Sequence, residues 1–335
     1  FNSLGPVAMN GGALDAVGGA SANFPSWGLK GAVTAGNNST STISAAGAYA
    51  GAALGEASVT GTVFDVQAGS TLIVSATLSD GRNTGNTAFQ ASFLAKTGAG
   101  TLTLAGVNSF TGGTIVSNGT LTVNGSLTNA NITIAGGTMN GSGKLYYQLA
   151  DDVADRIRIS GSGLIDIGGL TLHVVKSGAQ SGTEFVVIDD TNKVVGAFAA
   201  TNLPPYWTLD CDGTVANPNA VVMVFDPASA VVSWDGGDTA SNYWSAATNW
   251  AGDAKPAEGA ILSFPAGQPR QNSTNDILAN VYGISLEGGY TLNGNQLAVG
   301  ASVSNSGVNT VAFPLSLKNV KTVNVASGTL TLSGS

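Results

Sequence analysis

Lys96-Thr97-Gly98-Ala99-Gly100-Thr101-Leu102-Thr103-Leu104, running on through Asn108 and Gly112-Gly113 to Asn118-Gly119-Thr120-Leu121-Thr122-Val123, decides the fold. Aliphatic Leu102, Leu104, Leu121 and Val123 alternate with Thr101, Thr103, Thr120 and Thr122, and a period of two means strand. Asn and Gly fill the gaps, the residues that tolerate positive φ and let a chain turn a corner. Gly100-Thr101-Leu102, Gly119-Thr120-Leu121 and Gly137-Thr138-Met139 start 19 and 18 residues apart, and the phrase returns at Gly328-Thr329-Leu330. At roughly 3.3 Å per strand residue such a spacing traces a closed path of about 60 Å, enough for three short strands and their corners. A fixed period of this length is the signature of a repeat architecture. The expected fold is all-β: a parallel β-helix, or β-solenoid, with a β-rich capping or insert region. At about 20 residues per coil the chain would build a rod on the order of 80 Å.

Composition agrees with a long, thin core. The 335 residues hold 47 glycines, 43% hydrophobic residues and only 10% charged ones, too apolar for disorder. A net charge of −8 without a basic cluster argues against nucleic acid and anionic membrane surfaces as partners. Cys211, the single cysteine, excludes an intrachain disulfide. Phe1 to Pro6 shows no basic segment leading into an apolar one, and no run approaches the roughly 20 apolar residues of a helical span. The chain therefore reads as mature or trimmed, without membrane insertion.

Three regions follow from changes in texture. Residues 1–145 read as solenoid, with the repeat motif at 96–123 and irregular coils at the N-terminal end. Residues 146–228, with Arg156-Ile157-Arg158-Ile159, Phe185-Val186-Val187-Ile188 and Val221 to Phe225, read as a closing or continuing β region. Residues 229–335 open with Trp234, Trp244 and Trp250 and read as the start of a second unit.

The stretch from Lys96 to Thr114, continuing to Leu121, resembles the autotransporter-associated β-strand repeat, whose pattern runs approximately KTGxGTLTLxGxNTYTGGT. Ser109 and Phe110 stand where that pattern has Thr and Tyr. Looser features around Phe64 to Leu72 and Val323 to Leu330 match each other at a super-period of about 258 residues. The resemblance implies an extracellular right-handed parallel β-helix on the bacterial cell surface, serving as adhesin, autoaggregation factor, matrix component or spacer. The chain lacks the series of strands that would form an outer-membrane barrel at its C-terminus.

His173 is the only histidine, no Gly-x-Ser-x-Gly elbow is present, and one Cys with one His cannot build a transition-metal site. Asp151-Asp152 with Asp155, Asp189-Asp190, and Asp235 with Asp238 are candidate calcium carboxylates, each set against a plain solvated loop. Trp234, Trp244 and Trp250, with Trp27 and Trp207, are candidates for stacking on sugars or for core packing. The expectation is a structural surface protein, not an enzyme, with no cofactor. It would assemble end to end into a homopolymer through a strand carrying Val323, Val325, Leu330 and Leu332, since those residues alternate well and Lys321 is the last charge before them. Two alternatives stand beside it: a monomeric adhesin binding glycan or protein, and a β-helix enzyme cleaving polysaccharide.

Overall fold

The structure, a computed structural model, describes residues 2–19, 25–85, 87–317 and 319–334. The final Ser335 of the C-terminal repeat lies outside them. Strands dominate, and nearly every pairing between them is parallel. Thr101–Leu104 pairs in register with Thr71–Val74 on one side and Thr120–Val123 on the other. Its burial alternates, with Leu102 and Leu104 fully enclosed and the threonines half-exposed. Each enclosed aliphatic side chain of this kind contributes about 1.5–3 kcal/mol. Outside, Thr40, Thr71, Thr101, Thr120 and Thr138 stand in one ladder across five successive coils. β-branched side chains suit that pleated, half-covered position.

Among the described residues the first solenoid has three faces. One is an eight-stranded sheet from Ala13–Val17 to Val194–Val195. A second is ten-stranded and starts at Val7–Met9. The third begins at Asn2–Leu4 and, after Leu78–Arg82, is taken over by the sheet from Val107–Asn108 to Ala200–Asn202. Coil length is not uniform. Thr101, Thr120 and Thr138 are 19 and 18 residues apart as expected, but Thr40, Thr71 and Thr101 lie 31 and 30 apart. The extra residues are corners and loops such as the Arg82–Phe89 excursion, so the rise per residue is smaller than a uniform 20-residue coil implies.

The parallel stack does not run unbroken. Val221–Phe225 joins Glu184–Ile188 antiparallel and is itself paired antiparallel with Trp207–Asp210. This hairpin covers the edge of the ten-stranded sheet, where a parallel coil would otherwise add. Phe185, Trp207 and Phe225 seal the core beneath it, their rings 5.5 and 5.2 Å apart. Asp226 then caps a single helical turn, Pro227–Ala230, by accepting from the Ala228 and Ser229 amides.

A second core follows from Trp234 to Phe313. After a first step of 30 residues, Val231 to Ile261, its coils shorten: Val231–Ser233, Ile261–Phe264, Asn280–Leu286, Leu297–Asn305 and Thr322–Val325 form one succession, and Asn272–Asn275 through Thr329–Leu332 another. The segment after Ser177 lies across three of these coils. The Tyr282 hydroxyl and the Lys321 ammonium both donate to Ser181 O, and Asn319 Nδ2 donates to Ala179 O. Gly300 permits the approach, because a Cβ there would sit 1.9 Å from Gln180 O.

Candidate functional site

For a solenoid the working parts are those that join coil to coil, and the repeat contains an unexpected one. Lys96 lies on Phe93–Thr97, whose alternation turns it inward with Leu94, and it is completely buried. Its ammonium has three donors and three partners: Thr97 O at 2.6 Å, Gly98 O at 2.7 Å and Asn118 O at 3.1 Å. The first two belong to its own corner and the third to the next coil, so one charged side chain fastens two coils together. Hydrogen bonds from an ion are short and strong, and they meet part of the cost of taking the charge from water. Burial pushes the Lys96 pKa down to about 8, against the upward pull of Asp65.

Gly119 completes this corner. Its φ is +67°, and a Cβ would fall 2.4 Å from Gly98 O and Gly100 O and 2.8 Å from Lys96 Nζ. No side chain can occupy that place without displacing the ammonium.

Buried asparagines do the same work elsewhere. Asn305 Nδ2 donates to Gly307 O and Ser327 O, two and twenty-two residues onward, the offsets from Lys96 to Gly98 and Asn118. Asn305 is thus the neutral counterpart of Lys96 in the second core. Asn108 binds three coils, accepting from Leu78 N while donating to Gly106 O and Ser126 O. Asn275 ties Leu278 O to Asn295 O. The sequence carried a signal for Lys96, which stands in the inward phase of an aliphatic alternation, but periodicity alone does not say what satisfies a buried ammonium.

The residues singled out from the sequence fall in three places. Val323, Val325 and Leu332 are about half exposed, at 51, 48 and 49%, and Leu330 is partly buried. These occupy the inward phase of Thr322–Val325 and Thr329–Leu332, as Phe64, Val66, Leu72 and Val74 do on Gly61–Val66 and Thr71–Val74, where all four are fully buried.

Trp234, Trp244 and Trp250 do not offer a sugar-stacking face; that reading is corrected. All three are fully enclosed and pack edge to face, with ring centres 5.2 and 6.0 Å apart. Their indole N–H groups are spent on Arg270 O, Ser273 Oγ and Trp244 O. A coil-end core needs large side chains with one satisfied polar atom, and tryptophan supplies both. Trp207 is likewise buried.

The acidic residues are engaged in closing turns. Asp152 accepts from Ser181 N, Ser181 Oγ and Gly182 N, Asp155 from Ala130 N and Gln148 N, and Asp151 from Ala179 N. Asp189 accepts from Ile159 N and Asp190 from Asn192 N. Asp238 takes the Ala240 and Ser241 amides and the Thr248 hydroxyl, and Asp235 takes Gly237 N. Burial raises Asp155. In Asp152 burial also pushes upward, but the Ser181 and Gly182 donors and the charge of Lys321 hold the carboxyl below its usual range. Among the described residues, no group of three or more His, Cys, Asp and Glu is placed to hold a metal ion. His173 packs against Tyr146, ring centres 4.8 Å apart and planes tilted by 51°, and meets Asn202 Nδ2 through Nδ1 at 3.1 Å, while Cys211 is a free, exposed thiol.

Comparison with known proteins returned one family, the passenger-associated-transport-repeat, whose model matches residues 94–123. Neither a curated protein nor a solved structure gave a match. The Lys96 staple, the Gly119 corner and the paired strands Thr101–Leu104 and Thr120–Val123 therefore lie within a passenger-associated transport repeat that this chain carries at residues 94–123.

Proposed function

We propose that this chain is a structural, rod-forming segment of an extracellular bacterial surface protein. The observation that carries the reading is a passenger-type repeat built into a parallel stack whose coils are fastened by buried staples. Such a body has no need of a moving part or a reactive group; its product is length and rigidity. On this reading the chain is not an enzyme and needs no cofactor. With it goes self-association through Thr322–Val325 and Thr329–Leu332, where half-exposed Val323, Val325 and Leu332 sit beside strand edges that can pair with another strand. The partner is a second copy of the chain, added by a head-to-tail contact that does not close on itself.

Light scattering and negative-stain microscopy of the purified chain over a concentration series test this. End-to-end species that disappear in the Val325→Lys, Leu332→Lys double variant are expected. A wild-type chain that stays monomeric at every concentration would overturn the assembly.

A further inference from the structure

A cleft opens where the two solenoids meet, between the end of Thr171–Ser177, the turn at 202–205 and the second core. It encloses about 280 Å³, near the lower end of the range of roughly 300–1,000 Å³ for small-molecule sites. Val174, Leu203, Pro204 and Pro205 form an apolar floor. Four polar side chains stand around it: Lys176, Glu258, Asn202 and Asn280.

The bonding of these four is only partly used. The Lys176 ammonium donates to Asn280 Oδ1 at 2.9 Å and, at the longer distance of 3.4 Å, to Gly178 O, which leaves one of its three protons for a ligand. Glu258 spends one lone pair of each oxygen on Ala279 N and Asn280 N. Asn202 offers its carbonyl, since its amide nitrogen faces His173, and Asn280 offers its amide nitrogen, since its carbonyl takes Lys176.

Behind Lys176 the same wall contains an under-satisfied group. Gln180 is 3% exposed and its amide orientation is fixed, because Nε2 donates to Asp151 O and Ser177 O. That leaves Gln180 Oε1 without a partner, facing a water-sized void it shares with Lys176 and Tyr282.

The chemistry selects a class of ligand. Lys176 and Glu258 cancel in charge, so neither an anion nor a cation is favoured over a neutral molecule. Donors and acceptors are both on offer within a few residues of one another, above a floor of proline and aliphatic C–H groups. We infer that this cleft binds a neutral saccharide, with one sugar face on Pro204, Pro205 and Leu203 and its hydroxyls shared among Lys176, Asn202, Glu258 and Asn280. The site is independent of coil stacking, and it is distinct from the buried tryptophans.

Saturation-transfer NMR on the full chain decides it, using neutral hexose and N-acetylhexosamine oligosaccharides beside uronate-bearing oligosaccharides and short peptides. Asn202 and Pro205 are exposed, so Asn202→Ala and Pro205→Asp should leave the unfolding midpoint unchanged while weakening saccharide binding at least tenfold. Saturation transfer to neutral saccharides at millimolar concentration, lost in both variants, is the expected result. No transfer to any neutral saccharide, transfer that survives both variants, or binding confined to uronates or peptides would each overturn the inference.

Discussion

Replacing Lys96 by Met keeps the aliphatic stem but deletes an ammonium that donates to Thr97 O, Gly98 O and Asn118 O at 2.6, 2.7 and 3.1 Å. Hydrogen bonds to charged groups are worth about 1.5–3 kcal/mol each, and the abandoned carbonyls add the cost of burial without partners. Against this, the variant no longer has to desolvate a cation. We expect a net loss of about 2–3 kcal/mol, confined to the first core. The pH profile separates this staple from simple packing. With Lys96 lowered to about 8 from its ordinary 10.5, the folded chain gives up this proton before the unfolded chain does. Between those values the unfolded state binds more protons, so this residue's contribution makes the fold more stable as pH rises; below about 8 its burial penalty is fully present and flat. Lys96→Met removes that rise. The assay is urea unfolding by circular dichroism at pH 7, 9 and 10, comparing midpoints of the first-core transition, since two cores need not unfold as one. A variant within about 0.5 kcal/mol of wild type that retains the same alkaline rise would refute the staple.

Three further outcomes follow from the same contacts. Gly119→Ala meets carbonyl oxygens at 2.4 Å in a left-handed backbone and should destabilise the first core by more than about 2 kcal/mol, read in the same urea series. Trp244→Ala empties the middle of the second core and should cost about 3–5 kcal/mol there while leaving the first-core transition in place. Asp152 holds the loop against the second solenoid with a lowered pKa, so its contribution is present above the usual carboxylate range and fades as pH falls through its folded value. Protection of the Ser181 and Gly182 amides, taken as the exchange rate relative to the unstructured chain at each pH, should fall on acidification in wild type and already be low in Asp152→Asn.

Much of this architecture can be read from local residues. The Gly-Thr-Leu spacing predicts coils, and Leu102, Leu104, Leu121 and Val123 all turn inward as their alternation requires. What local pattern does not convey is direction and distance. Val221–Phe225 is a run of apolar β-formers that would suit a parallel or an antiparallel neighbour, and only its return from Trp207–Asp210 makes it a closing hairpin. The tryptophans are ambiguous for the same reason: an indole suits a sugar or a core, and the choice rests on Phe264, Tyr290 and Phe313, up to seventy-nine residues away in the chain. The cleft depends on Lys176 meeting Asn280 and on Gly300 admitting Gln180, contacts between residues more than a hundred positions apart. Lys96 lies between these cases, since its phase is legible and its three carbonyl partners are not.

The central claim is that coils are parallel and stacked in register, with Thr101 beside Thr120. In a Cys211→Ser background, Thr101→Cys with Thr120→Cys places two thiols on neighbouring strands, about 4.8 Å apart at the backbone and within the range of roughly 4.4–6.8 Å for a disulfide. Mild oxidation followed by mass spectrometry of the digested chain should show the 101–120 bond in high yield, and little or none when Thr101→Cys is combined with the inward-facing Leu121→Cys. Failure of the first pair to join, or equal joining by both pairs, would contradict the parallel solenoid.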